Sequence, residues 1–378
     1  MAYLIENCNA VIDGKIEKRN IAIDSGYFEN QAEDKAYETI NGEGLIAVPG
    51  FIDTHIHGCG GCGTEDCESS SILTMSELLV KAGVTTFFPT LYTDLLENML
   101  NGEKAIVKAI PDAKGAKIGG IHSEGPFISP DKIGAQNPLG RKDADASVMK
   151  KLIECADGNL KAMTLAPEVP GIEAVVKLAL ENNIVLLAGH SDATYEEAMH
   201  GYDLGIRHTT HLFNAMSGLV HRKPGLVGAS LMTEDMNAEI IGDGLHVHPA
   251  IIKFVIRTKG PDRVAVITDS LKPTMQSEGR LLANGVEVEM LNGLWVTKGN
   301  TDLIQGSALT MHKAFKNIIS WGFSIPDAVK LTSTTPAKIY NLDKVGEIRT
   351  GYKADLVLLD KDLEIQKVFV DGEIRYVV

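Results

Sequence analysis

The segment PGFIDTHIHGCGGCGTEDC, residues 49–67, carries two sets of side chains able to bind a metal. His55 and His57 stand one residue apart, and Cys59, Cys62 and Cys67 follow within ten positions. On a β-strand, residues i and i+2 project from one face, so an HxH pair aims both imidazoles at one point. Further along, Glu124, His190, His211, His246 and Asp269 each close a compact apolar run. Imidazoles mixed with carboxylates suit a borderline divalent ion, zinc or ferrous iron, with one position left for water. The cysteines form the weaker set. CxxC occurs once, at 59 and 62, without the second pair that a structural zinc site wants, and Cys8 and Cys155 are remote. Their glycine-rich setting reads as a loop leaving a strand, with thiols packed near a pocket.

Two occupancies are open. His55, His57 and Asp269 would hold one ion and His190 with His211 a second, bridged by Glu124; ions roughly 3.5–4 Å apart would jointly activate water. Alternatively, Glu124, His190 and His211 hold a single ion and the HxH pair supports it. Asp269 is the candidate general acid and base, because a carboxylate beside an activated water can take its proton and pass it to a leaving amine.

These residues need a frame that makes them converge. Eight apolar runs supply it: LIAVPGFIDTHIH, GVTTFFPT, AKIGGIHSEG, LKAMTLAPE, NIVLLAGHSD, GIRHTTHLFNA, AEIIGDGLHV and RVAVITDS. Helical patterns such as SSILTMSELLVKAG, GIEAVVKLALENN and TYEEAMHGYDLG lie between them. Continuous Val/Ile/Leu runs alternating with helices indicate parallel strands covered by helices. Eight units point to an α/β fold, a (β/α)8 TIM-like barrel, although an open doubly wound sheet gives the same local pattern. In a barrel the C-terminal strand ends face one mouth, where the histidines and carboxylates would meet. The first 48 residues and the last 33 instead read as short strands with Asp-Gly and Ser-Gly turns. The expected organisation is a small β-sandwich domain from 1–48 and 346–378, and a catalytic barrel over 49–345.

Composition narrows the partners. The 378 residues carry a formal charge of −14 with no compensating basic block, which argues against nucleic acid. No apolar run reaches the ~20 residues that a membrane span needs. The N-terminus lacks the basic and apolar regions of a secretory signal, and five cysteines do not form a disulfide framework. A cytoplasmic setting is the expectation.

PGFIDTHIHG entering the barrel, with GEIRTGYKADLVLLD near the end, resembles the amidohydrolase superfamily. Within it, HSEGPFISPDKIGAQNP, AGHSDATYEEA, THLFNAMSGLVHRKPGLVGA, DGLHV and ITDS resemble the N-acetylglucosamine-6-phosphate deacetylases. The resemblance implies Glu124, His190 and His211 as metal ligands, Asp269 as proton carrier, and His246 near the acetyl carbonyl. It implies substrate contacts at Ala135, Gln136, Asn214, Ala215, Ile304, Gln305 and Gly306. It also implies a homodimer in which Arg222 of one chain binds the phosphate in its neighbour's site. A guanidinium fork suits phosphate oxygens. The implied cofactor is one or two divalent ions, zinc or iron. The implied reaction releases acetate from N-acetyl-D-glucosamine 6-phosphate, in amino-sugar catabolism or cell-wall sugar recycling. Ser123 stands where leucine is common, and IQGS where AGS is expected. Rival readings are a cyclic amide hydrolase, a deaminase or a non-catalytic barrel. Cyclic amide hydrolases typically bridge their metals with a modified lysine, and Glu124 is not lysine.

Overall fold

The computed structural model describes residues 1–276 and 279–378. Eight parallel strands form the barrel: Phe51–Ile56, Val84–Leu91, Ile121–Glu124, Leu160–Leu165, Val185–Ala188, His208–Thr209, Asn237–Ile241 and Val264–Ile267. Each pairs with the next in chain order. The eighth returns to the first through a parallel bridge between Ile56 and Ser270, and the Asp269 amide donates to the His55 carbonyl at 2.9 Å. Strands one, two, three and eight are buried along their whole length, as expected of parallel strands covered on both faces. This is the expected (β/α)8 barrel, nearly closed on itself.

The covering helices start where sequence chemistry places them. Thr194 caps helix Tyr195–Leu204, accepting from the Glu197 amide while Glu197 reaches back to the Thr194 amide. Apolar residues at helical spacing, such as Ile172, Val175, Val176 and Ala179 on helix Ile172–Glu181, face the strands.

The termini build one mixed sheet of eight strands, with edge-to-edge order 373–377, 365–370, 356–359, 46–49, 3–12, 15–24 and 27–29, and with 38–41 also pairing with 3–12. Strand Leu356–Leu359 is buried on both faces. Leu356 and Leu358 join Tyr3, Ile5, Ile23 and Phe369 in a separate core, while Val357 and Leu359 join the barrel core. Tyr3 meets Phe369 edge-on at 5.5 Å from three strands away, so the sheet curls around its own interior. The polar–apolar alternation expected for a strand with one wet face therefore gives way to a fully apolar run.

Two elements lie beyond the sequence reading. Residues 282–307 form a four-stranded antiparallel sheet after the eighth barrel strand. Two of its three hairpins turn at Asn284-Gly285 and Asn292-Gly293, all four residues with positive φ, the conformation that Asn-Gly pairs favour. Trp295 anchors it against Tyr92 and Leu271, and the indole N–H donates to Thr274. Second, the helical stretch 325–339 lies across the end at which the strands begin. Ser333 and Thr335 donate to the carbonyls of Pro49 and Pro261 there. Tyr340 then enters the barrel interior beside Phe88, Ala162, Leu187 and Ala265.

One buried charge has no role in the site. Glu103, on helix Leu96–Ala109, is fully buried, its carboxyl oxygens lack hydrogen-bond partners, and burial pushes it up to about 8. A folded-state value above the unfolded 4.5 means the native state binds the extra proton, so stability falls as pH rises from about 4.5 to 8. Glu103→Leu is expected to raise the melting temperature by a few degrees at pH 8 and by less at pH 5. Thermal melts at the two pH values check this; an equal or opposite change would contradict it.

Candidate active site

Six side chains converge at the C-terminal end of the barrel. The first strand delivers His55 and, just past its end, His57; the third ends at Glu124. His190, His211 and Asp269 follow the fifth, sixth and eighth strands by two residues each. Glu124 is the hub. Its Oε1 lies 2.8 Å from His211 Nε2, 3.1 Å from His190 Nε2 and 3.4 Å from His55 Nε2. Its Oε2 lies 3.3 Å from His57 Nε2 and accepts the Gln136 amide at 2.6 Å. Asp269 Oδ1 faces His57 and His55 at 3.4 and 3.6 Å.

The far nitrogens of His57 and His190 set the orientation of those rings. His57 Nδ1 lies 3.0 Å from the Thr90 carbonyl and His190 Nδ1 2.8 Å from the Lys132 carbonyl. A carbonyl only accepts, so each Nδ1 is the donor, which leaves each Nε2 as the nitrogen able to offer a lone pair to a cation at the centre. Tyr92 stacks on His57 at 3.8 Å and fixes its plane. Gly134 passes so close that a Cβ there would sit 3.2 Å from the His190 ring, and its φ of +59° independently favours glycine.

Burial alone would raise the Glu124 carboxyl, but the charges of His55 and His190, with hydrogen bonds from His190 and His211, hold it well below the usual range. Asp269 behaves alike: burial is outweighed by its bond to His57 and by the charges of His55, His57 and His211. Conversely, burial would lower His57, yet Asp269 and Glu124 keep it above its ordinary value. The cluster therefore draws positive charge to one point. Coordination of a cation there would displace the histidine protons.

A cavity of about 300 Å³ opens above this floor. Of the residues singled out from sequence, His57, Glu124, His190, His211, Asp269, His246, Ala135, Gln136, Asn214, Ala215, Ile304, Gln305 and Gly306 line it, and His55 lies beneath. His246 sits on the loop after the seventh strand, its Nδ1 2.6 Å from Asp243 Oδ2. Burial pulls this imidazole down, but the bond to Asp243 carries it above its ordinary value. Arg222 is not brought to the cavity of its own chain; it is exposed at a tight turn closed by Val220 and Lys223.

The cysteines stay outside the cluster. Cys59 and Cys62 face each other across a Gly60-Gly61 hairpin, and neither belongs to a group of potential ligands among the described residues. Sequence reasoning missed Tyr92, Asp131, Lys132 and Gly134 on the cavity wall, and Thr210 and Glu239 beneath it. Glu239 left one visible signal, a carboxylate inside the apolar run AEII.

A model of the amidohydrolase family matches residues 46–375. The chain belongs to the amidohydrolase family. A curated amidohydrolase relative from Lysinibacillus sphaericus, an N-acetylglucosamine-6-phosphate deacetylase, is 30% identical over 99% of this chain and 98% of its own length. An N-acetylgalactosamine-6-phosphate deacetylase from Escherichia coli O157:H7 is 30% identical over 87% of each chain. A mutant N-acetyl-D-glucosamine-6-phosphate deacetylase from Mycobacterium smegmatis, solved in complex with N-acetyl-D-glucosamine-6-phosphate, matches with a TM-score of 0.92 at 28% identity, covering 100% of both chains.

Amidohydrolases are typically metal-dependent, and this member's donor set fits a divalent ion. The ligand atoms of His55, Glu124 and His211 lie within 4.8 Å of one another, as do those of His55, His57 and Asp269. His55 Nε2 is fully buried without a hydrogen-bond partner and faces two carboxylates, as a metal ligand should. His190 Nε2, 3.1 Å from Glu124 Oε1, stands beside these groups on the same carboxylate oxygen.

Gln136 also has a second assignment. Its amide oxygen accepts from the Thr93 amide at 2.7 Å while its N–H holds Glu124, which makes it an orienting group for that carboxylate. Gln136→Leu is expected to weaken divalent-ion affinity about 10- to 100-fold. Chelator competition measures this; unchanged affinity with a raised KM would return Gln136 to a purely substrate-contacting role.

Proposed function

We propose that this amidohydrolase removes the acetyl group of N-acetyl-D-glucosamine 6-phosphate, giving D-glucosamine 6-phosphate and acetate, in amino-sugar catabolism or cell-wall sugar recycling. The observation that carries this reading is the meeting of the His/Glu/Asp cluster, Asp269 and His246 in one cavity of a chain whose full length aligns with deacetylases of phosphorylated amino sugars. We take residues 49–345 as the catalytic barrel and 1–48 with 346–378 as the small domain.

Glu124, His190 and His211, with His55, His57 and Asp269, would hold one or two ions, zinc or iron by the nitrogen and oxygen donor set. Such an ion acidifies water and polarises an amide carbonyl. The chain's own groups do the rest. Asp269 accepts the proton that the attacking water loses and returns it to the amine nitrogen, without which the C–N bond does not break. His246, held by Asp243, donates to the acetyl oxygen as negative charge develops there. Gln305, on strand Asn300–Ser307 of the inserted sheet, and Asn214, after the sixth barrel strand, would face the sugar, with Ala135, Ala215, Ile304 and Gly306 completing the wall.

The phosphate lies at the outer end. Arg222 is exposed and does not line its own chain's cavity, as expected if it reaches the neighbour's site in a homodimer and forks the phosphate there. Remote binding energy of this kind orients the amide for attack.

Zinc- or iron-loaded protein is expected to release acetate from the phosphorylated sugar; loaded protein that releases none overturns the proposal. Asp269→Asn is expected to remain folded while turnover falls about 10²- to 10⁴-fold. Near-normal turnover would remove Asp269 from proton transfer. Arg222→Ala is expected to raise KM for the phosphorylated sugar with a smaller change in kcat, and an unchanged KM would cancel the phosphate role.

A further inference from the structure

Below the His/Glu/Asp cluster the barrel holds a second carboxylate, one that lines no part of the cavity and whose nearer oxygen lies 3.7 Å from His55 Nδ1, beyond hydrogen-bond distance. Glu239, on the seventh strand, is 1% exposed. Its Oε1 accepts the hydroxyls of Thr54 at 2.7 Å and Tyr340 at 2.5 Å, and its Oε2 accepts that of Thr210 at 3.1 Å. Three donors from three parts of the chain converge on one group, which acts only as an acceptor.

A threonine hydroxyl has a single proton. Because Thr210 gives its proton to Glu239, its oxygen can only accept from its other neighbour, His55 Nδ1, at 3.1 Å. His57 and His190 face backbone carbonyls, which cannot donate. A hydroxyl can. With no acceptor behind it, Thr210 would be free to donate to Nδ1, and the His55 proton would then sit on Nε2, facing the ion site.

We infer that Glu239 is a positioning residue which, through Thr210, holds His55 in the Nδ1–H form and so presents the Nε2 lone pair to the metal. This rests on the metal reading of the cluster. It gives a reason for retaining an anion in the barrel interior, where an unpaired carboxylate is costly. His122 completes the mould around His55. It packs edge-on at 4.7 Å, its own nitrogens taken up by the Thr54 carbonyl and the Thr164 hydroxyl.

The test compares zinc affinity by chelator competition in full-length protein. Thr210→Val keeps the shape and removes the hydroxyl; Thr210→Ser restores it. The expectation is that Thr210→Val and Glu239→Gln weaken the most loosely held zinc about 10- to 100-fold, while Thr210→Ser stays close to wild type. Thr210→Val binding as tightly as wild type would overturn the inference. So would Thr210→Ser failing as badly as Thr210→Val, since that pattern marks a packing role. If Glu239→Gln does not fold, the threonine pair decides alone. A wild-type chain that binds no zinc overturns the metal reading and this inference with it. Zinc-loaded wild type that releases no acetate defeats the proposed reaction while leaving the affinity comparison standing.

Discussion

The structure turns on one buried anion. Glu124 is almost wholly removed from water, and its two oxygens are shared among four imidazoles and one amide. A carboxylate in such a place survives only if cationic or hydrogen-bonding partners surround it. Those partners come from strands one, five and six and from the loop at Gln136. No local segment could supply them; a closed barrel can, because its strand ends form a ring. The demand of this single group for partners on several sides explains why the polar residues fall at strand ends.

Holding that ring has a conformational cost. His190, His211 and Asp269 all have positive φ, as do Phe213 and Ala215 beside them. For residues with a Cβ this costs on the order of 1–3 kcal/mol each and persists only when neighbours over-determine it. They do. The His190 carbonyl accepts the Ser129 amide, and the His211 carbonyl accepts the Asn214 amide. The Asp269 amide donates to His55 while its carbonyl accepts the Ser307 amide at 3.0 Å. The last contact comes from the end of the inserted antiparallel sheet, so the insertion that walls the cavity also clamps Asp269.

Legibility in the sequence followed the range of the physics involved. The barrel was readable because burial on both faces imposes unbroken apolar runs, and the ligands were readable because they interrupt those runs at strand ends. The inserted sheet leaves a local signal, two Asn-Gly pairs amid alternating residues, but a pattern of eight strand–helix units does not separate it from the barrel. Gln136 shows the other limit. A motif marks it as important, yet only tertiary geometry reveals that its amide grips Glu124. Glu239 and Thr210 lie further out of reach, since their pairing depends on the register between the sixth and seventh barrel strands. Arg222 reads as a phosphate ligand only through family resemblance; within one chain it is an exposed arginine.

The same logic accounts for the small sheet, which carries none of the cavity residues. Lys117 begins the segment that becomes the third strand, and its ammonium bridges Asp355 at 2.7 Å and Asp371 at 2.8 Å on the terminal sheet. Asp355 is buried, so this pair is more than a solvated surface contact. Gly50, at the start of the first strand, donates to the Asp355 carbonyl at 3.0 Å. The sheet thus grips the lower ends of the strands whose upper ends carry His55, His57 and Glu124. Tyr340 does the same from the barrel interior through Glu239. A His/Glu/Asp cluster converging at one end of a barrel needs strands that cannot slide at the other. Both chain termini and the closing helical segment supply that restraint.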